Sequence, residues 1–144
     1  MRKRAKKKFT DDDYIEYLQA YDQFYQKRCK IFGGGSPRVD SQFSEQFAAD
    51  NVGFTIKHEK GLDGVNSQGE TYEVKGTGYC NTKARFSSIK ADHVIWVKVT
   101  QGKVYVYEME ASIYDNRDSN GFVDMEKQQK KLICEFDFNI DSEG

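Results

Sequence analysis

At 144 residues, with 38% hydrophobic and 31% charged side chains and a formal net charge of −1 at pH 7, the chain has the length of one domain with a single core that needs no disulfide staples. Its three cysteines, Cys29, Cys80 and Cys134, show neither CxxC nor Cys/His ligand spacing, which argues against a disulfide framework or a structural zinc site and for a reducing, cytoplasmic setting. No apolar run is long enough to cross a bilayer, and the basic N-terminus has no apolar stretch behind it of the kind a secretory signal needs.

The near-zero net charge is unevenly spread. "RKRAKKK" places six basic side chains in residues 2–8, and "DDD" follows at 11–13. Residues 1–9 read as a basic, disordered arm ahead of a single domain over 10–144. The arm is either a solvated or targeting segment or a phosphate-binding one. Thr10 followed by three aspartates is an N-cap with an acidic first turn, and Tyr14, Leu18, Tyr21, Tyr25 and Cys29 recur at helical spacing, so a helix is expected over about 11–31. "GGGSPR" ends it in a hinge or mobile loop. A second helix is expected from Asp40 or Ser41 to 51–53, with Phe43 and Phe47 as an i,i+4 apolar pair.

The period then changes to two. Phe54, Ile56 and His58 alternate with polar residues as in a half-buried strand, and 62–66 and 70–76 form two more short strands around "SQG". "RFSSIKADH" reads as a short helix or an ordered loop. "HVIWVKVT" and "KVYVYEME" make a hairpin about "QG", and "EKQQKKLICEF" a short helix running into a strand. The fold class is α/β or α+β, a mixed sheet flanked by helices.

The chemistry lies in "GLDGVNSQGETYEVKG", residues 61–76. A three-residue turn at 67–69, with Gly69 in the left-handed position, sets Asn66 against Glu70 and Asp63 against Glu73. Directly opposed residues have Cβ atoms about 4.5–5.5 Å apart, so two carboxylates converge, and a one-residue slip would send one to the far face. Glu73 and Lys75 share that face, and Tyr72 and Val74 point to the other. Two adjacent carboxylates repel unless a cation lies between them. Hard oxygen donors with room for water favour Mg²⁺, with Mn²⁺ able to substitute, and a phosphate ester as substrate. A neighbouring lysine orients water and stabilises charge on the reacting oxygens. Glu73-Val74-Lys75 is the only acidic-x-Lys triplet in the chain. The plainer alternative is an exposed strand with an ordinary Glu/Lys face.

"LDG", a short turn and "YEVK" resemble the PD-(D/E)XK nuclease superfamily, in which an Asp opens one core strand and a Glu-x-Lys lies on the next. The resemblance covers about residues 39–110, and Leu62 stands where that family often has a proline. It implies a restriction-endonuclease-like core in α-β-β-β-α-β order, most similar to small type II restriction endonucleases. It further implies catalytic roles for Asp63, Glu73 and Lys75 and metal ligation by Asp63 and Glu73. Glu45, on the helix before the first strand, matches an extra acidic ligand of many members, although a solvent-facing helical glutamate is an equal reading. The implied function is a Mg²⁺-dependent endodeoxyribonuclease acting on double-stranded DNA, as a homodimer if its site is palindromic. A non-catalytic binding module on the same fold, or a nuclease for RNA or branched or single-stranded DNA, remains the alternative.

Outside the motif, Lys83, Arg85 and Ser87 are candidates for phosphate contacts, because "GTGYCNTKARFSS" combines glycines, cations and hydroxyls; a plain polar loop is the alternative. His58, on the apolar parity of its strand, reads as a buried neutral histidine, and His93 as structural. The tyrosine stripe of the first helix or the aromatic C-terminal hairpin is a candidate dimer surface, with core packing as the alternative.

Overall fold

Thr10 caps the first helix as its sequence predicts: its Oγ1 accepts from Asp13 N at 3.2 Å and the Asp13 carboxylate accepts from Thr10 N at 3.1 Å, a reciprocal capping box. In this computed structural model, which describes residues 7–33, 38–79 and 81–139, helix α1 spans Asp11–Phe32 and closes on Gly33, whose φ is 83°. Residues 1–6 of the basic arm and 34–37 of the glycine-rich loop lie outside the described residues. Helix α2 (Ser41–Ala48) begins at Asp40, whose side chain accepts from Gln42 N, and runs on into a π-turn over Ala49–Gly53.

One buried carboxylate ties these elements together. Asp50, 4% exposed, accepts from Lys8 N at 3.0 Å, Phe9 N at 3.2 Å, Tyr14 Oη at 2.6 Å and Gln46 Nε2 at 2.9 Å. Four donors satisfy a charge that burial alone would penalise. Lys8, the last residue of the basic stretch, and Phe9 are thereby fastened to the domain.

Eight strands follow among the described residues: β1 (Thr55–Glu59), β2 (Leu62–Val65), β3 (Thr71–Gly78), β4 (Lys83–Arg85), β5 (His93–Val99), β6 (Lys103–Glu110), β7 (Phe122–Asp124) and β8 (Lys131–Asp137). Six of them form one mixed sheet in the order β1-β2-β3-β5-β6-β8, and β4 pairs with β7 apart from it. Within the six, β3 and β5 run parallel and the other neighbours antiparallel. The molecule is therefore mixed α+β. The helix expected between the third strand and the next is not found among the described residues. That connection carries β4 and irregular backbone, because Ala84 and Phe86, both buried, recur at a spacing of two and not at a helical interval.

Strand β5 explains the layering. Ile95, Val97 and Val99 enter a core shared with Tyr14 and Leu18 of α1 and Phe43 and Phe47 of α2. Val94 and Trp96 enter a second core with Phe86, Met109, Ile113, Tyr114, Val123 and Met125. A strand buried on both faces reads as a continuous apolar run, as β5 does. On β3 the two faces divide by parity: Tyr72 and Val74 join the helical core, and Glu73 and Lys75 turn toward the second one. The tyrosine stripe packs inward, with Tyr14 and Leu18 buried and the Tyr21 and Tyr25 rings stacked on Tyr79 at 5.7 and 3.8 Å.

Candidate active site

The turn between β2 and β3 sets the register. Asn66 Oδ1 accepts from Gln68 N and Glu70 N, Asn66 N donates to Glu70 O, and Gly69 adopts φ 81°, as a three-residue loop with a left-handed glycine requires. Gly64 then pairs with Tyr72 and Val65 with Thr71. This is the register expected from the sequence, and it sets Asp63 opposite Glu73.

Asp63 is not a regular cross-strand partner, however. The paired residues stop at Gly64, and the Asp63 carboxylate takes the acceptor position beyond them, receiving Val74 N–H at 2.8 Å. It is half-buried. Burial pushes its carboxyl above the ordinary range; Val74 N–H opposes that, Glu45 and Glu73 add to it, and Lys75 opposes it. Glu45, Glu73 and Lys75 thus all act on Asp63.

Glu73 is 6% exposed. Its Oε1 lies 3.1 Å from Lys75 Nζ, and its Oε2 accepts the hydroxyl of Tyr114. Tyr114, 1% exposed on the short 3-10 segment Ala111–Asn116, also accepts Ala91 N–H at 3.3 Å. Burial first, and then the bond to Glu73, raise its hydroxyl pKa and keep it a donor. Lys75 Nζ stands 5.0 Å over the Phe86 ring. A partly covered ammonium over an aromatic face is attracted to the ring and held in place.

Glu45 comes from α2, which sits close to β3 because position 76 is glycine. A Cβ there would meet Ser44 Cβ at 2.8 Å. Glu45 Oε1 lies 2.5 Å from His58 Nε2, and ligand atoms of Glu45, His58 and Asp63 lie within 4.8 Å of one another. The buried reading of His58 is overturned: its side chain is 64% exposed, and its bond to Glu45 raises its pKa. The alternation failed because the pairing of β1 with β2 shifts between Ile56 and Glu59, so residue parity stops reporting the face. His93 is stacked on Tyr72 at 4.8 Å, with Nε2 toward Glu70 and Nδ1 toward Glu108.

A cleft of about 300 Å³ opens beside Lys75, and among the described residues its charged lining is Arg38, Lys75, Lys83 and Arg85, with no carboxylate. Strand parity places Lys83 and Arg85 outward together, with Ala84 turned in. Ser87 is not among the lining residues. Its Oγ accepts Ile89 N at 3.3 Å within its own loop, and its carbonyl accepts Arg117 Nη1 at 3.0 Å from 30 positions further along the chain. The sequence reading missed Tyr114, which comes from 41 positions beyond Glu73 with no motif around it. It also missed Arg38, whose one cue was its place directly after the glycine-rich loop.

No known protein family's model matches the chain, and no curated protein matches it in sequence. The chemistry of the site has to be read from its own residues.

Proposed function

We propose that this protein is a divalent-metal-dependent nuclease that hydrolyses phosphodiester bonds in double-stranded DNA, in the manner of a small type II restriction endonuclease. The observation that carries this reading is the juxtaposition of Asp63, Glu73 and Lys75 across one β2–β3 register, with Lys75 also lining a cleft whose other charged groups are all cations. An ordinary Glu/Lys strand face gives no reason for a glutamate only 6% exposed, nor for the buried tyrosine that holds it.

The donor chemistry fits a divalent ion. Asp63, with a carboxyl that burial and two neighbouring acids drive toward its protonated form, is stabilised as a carboxylate by an added positive charge. Asp63 and Glu45, whose ligand atoms lie within 4.8 Å of each other, would hold that ion, and Glu73 would join them by turning an oxygen from Lys75 or Tyr114, with Mg²⁺ favoured by oxygen donors. Bound there, it would acidify a coordinated water and neutralise phosphate charge. Lys75 orients the attacking water and stabilises negative charge on the non-bridging oxygens as the P–O bond breaks. Tyr114 keeps Glu73 aligned, and Arg38, Lys83 and Arg85 hold the phosphate backbone. A palindromic site would bring two copies together about a two-fold axis.

The test is cleavage of plasmid and long linear DNA with Mg²⁺, with EDTA, and by Lys75→Ala. The expected result is metal-dependent cutting that falls at least about 10²-fold in the variant, with discrete fragments marking sequence choice. DNA binding without cutting, unaltered by EDTA, would sink the catalytic reading.

A further inference from the structure

His58 is the residue this chemistry leaves unused. It projects from edge strand β1 between a carboxylate on α2 and one on β2, and the three ligand atoms lie within 4.8 Å of one another. Two features separate the group from a chance surface cluster. The Glu45 side chain is only 15% exposed, and one Asp63 oxygen is already pinned by Val74 N–H at 2.8 Å, so both carboxylates are held, and the exposed imidazole is seated on one of them at 2.5 Å. His93 makes the contrast: its two glutamates approach opposite ring nitrogens and share no point in space with one donor atom. Ion–donor bonds of about 2.0–2.2 Å set tetrahedral donors roughly 3.3 Å apart, which small side-chain rotations around His58 reach.

We propose that Glu45, His58 and Asp63 form one N,O,O set that binds a divalent first-row transition ion of the Mn²⁺ to Zn²⁺ series, with His58 as the ligand that discriminates against Mg²⁺. This deepens the nuclease reading and rests on it for the use of the ion. Imidazole nitrogen suits borderline ions such as Zn²⁺, whereas Mg²⁺ takes oxygen donors and retains water. Any mixed nitrogen and oxygen site binds Zn²⁺ more tightly than Mn²⁺, so preference in the native protein alone does not identify the ligand. The diagnostic is the change when the imidazole is removed.

Calorimetric titration of Zn²⁺, Mn²⁺ and Mg²⁺ into native protein, His58→Ala and His93→Ala provides it. His58 is exposed, so its variant retains the fold, which circular dichroism checks. The expected result is a loss of Zn²⁺ affinity of about tenfold or more in His58→Ala, with Mg²⁺ affinity within about twofold of native and His93→Ala unchanged. Because the chain has two histidines, nitrogen-15 spectra of the imidazoles add an independent readout: Zn²⁺ shifts the His58 Nε2 resonance and leaves His93 in place. Native Zn²⁺ affinity in His58→Ala, an equal loss for Zn²⁺ and Mg²⁺, or a shift at His93 instead, overturns the proposal. Zn²⁺ binding through His58 in a protein that cuts nothing sustains this site and refutes the nuclease reading. Mg²⁺-dependent cutting with metal binding indifferent to His58 does the reverse.

Discussion

Asp63 is a carboxylate held where its charge is disfavoured. Its pKa is raised on folding, so the folded state binds that proton more tightly than the unfolded chain does. Ionised Asp63 therefore lowers stability at neutral pH, and the loss is relieved as pH falls through its raised pKa. Asp63→Asn removes the charge while its amide oxygen still accepts Val74 N–H. It is expected to raise Tm by roughly 1–4 °C at pH 7 while abolishing DNA cleavage; calorimetry showing a lower Tm would contradict this account of Asp63. His58 has the opposite sign. Its pKa lies above the ordinary 6.5 because Glu45 bonds it, so the stabilisation is present below the ordinary value and lost as pH rises through the raised one. In an NMR titration, Glu45→Gln should bring the His58 midpoint down toward 6.5, and an unchanged midpoint would remove Glu45 as the cause. At this scale the motif residues were legible because two-residue parity and a glycine-ended turn together determine which side chains face each other. Tyr114 was not, since its approach to Glu73 depends on how a distant 3-10 segment lands on the sheet.

The placement of α2 decides whether Glu45 reaches the site at all. Gly76 lets the helix settle against β3, since a Cβ there would lie 2.8 Å from Ser44 Cβ and 3.2 Å from Val39 Cγ1, below normal contact. Gly76→Ala must therefore push α2 outward. It should destabilise the protein by about 1–3 kcal/mol in urea unfolding, and it should weaken divalent-ion binding because Glu45 moves with the helix. A variant as stable as native would mean that the helix yields without strain. Both α-helices were legible from caps and spacing, and α1 begins at the predicted residue. The crossover was not, because a short segment with buried residues two apart gains its partners only when β4 finds β7, whose residues lie 37–41 positions away in the chain.

Charge at the scale of the molecule is organised, although its sum is −1. Acidic residues lie in the first turn of α1, and the cleft beside Lys75 carries only cations among its charged residues. DNA affinity measured against salt should therefore fall steeply. Lys83→Ala and Arg85→Ala should each reduce the slope of log K against log salt by about one, with Ser87→Ala leaving it unchanged. Equal slopes in all three would place the DNA elsewhere on the surface.

The local pattern in the chain was enough to specify two capped helices, the β2–β3 register, the β5–β6 hairpin and a carboxylate opposite a Glu-x-Lys, because each depends on a cap, a helical spacing or a single tight turn between neighbouring segments. Only the tertiary structure decided that Tyr114 holds Glu73, that Arg38 joins Lys83 and Arg85 in one cleft, and that His58 stands exposed on Glu45. Those contacts require separate elements to pack and a strand to lose its regular pairing, and neither event leaves a periodic trace in the sequence.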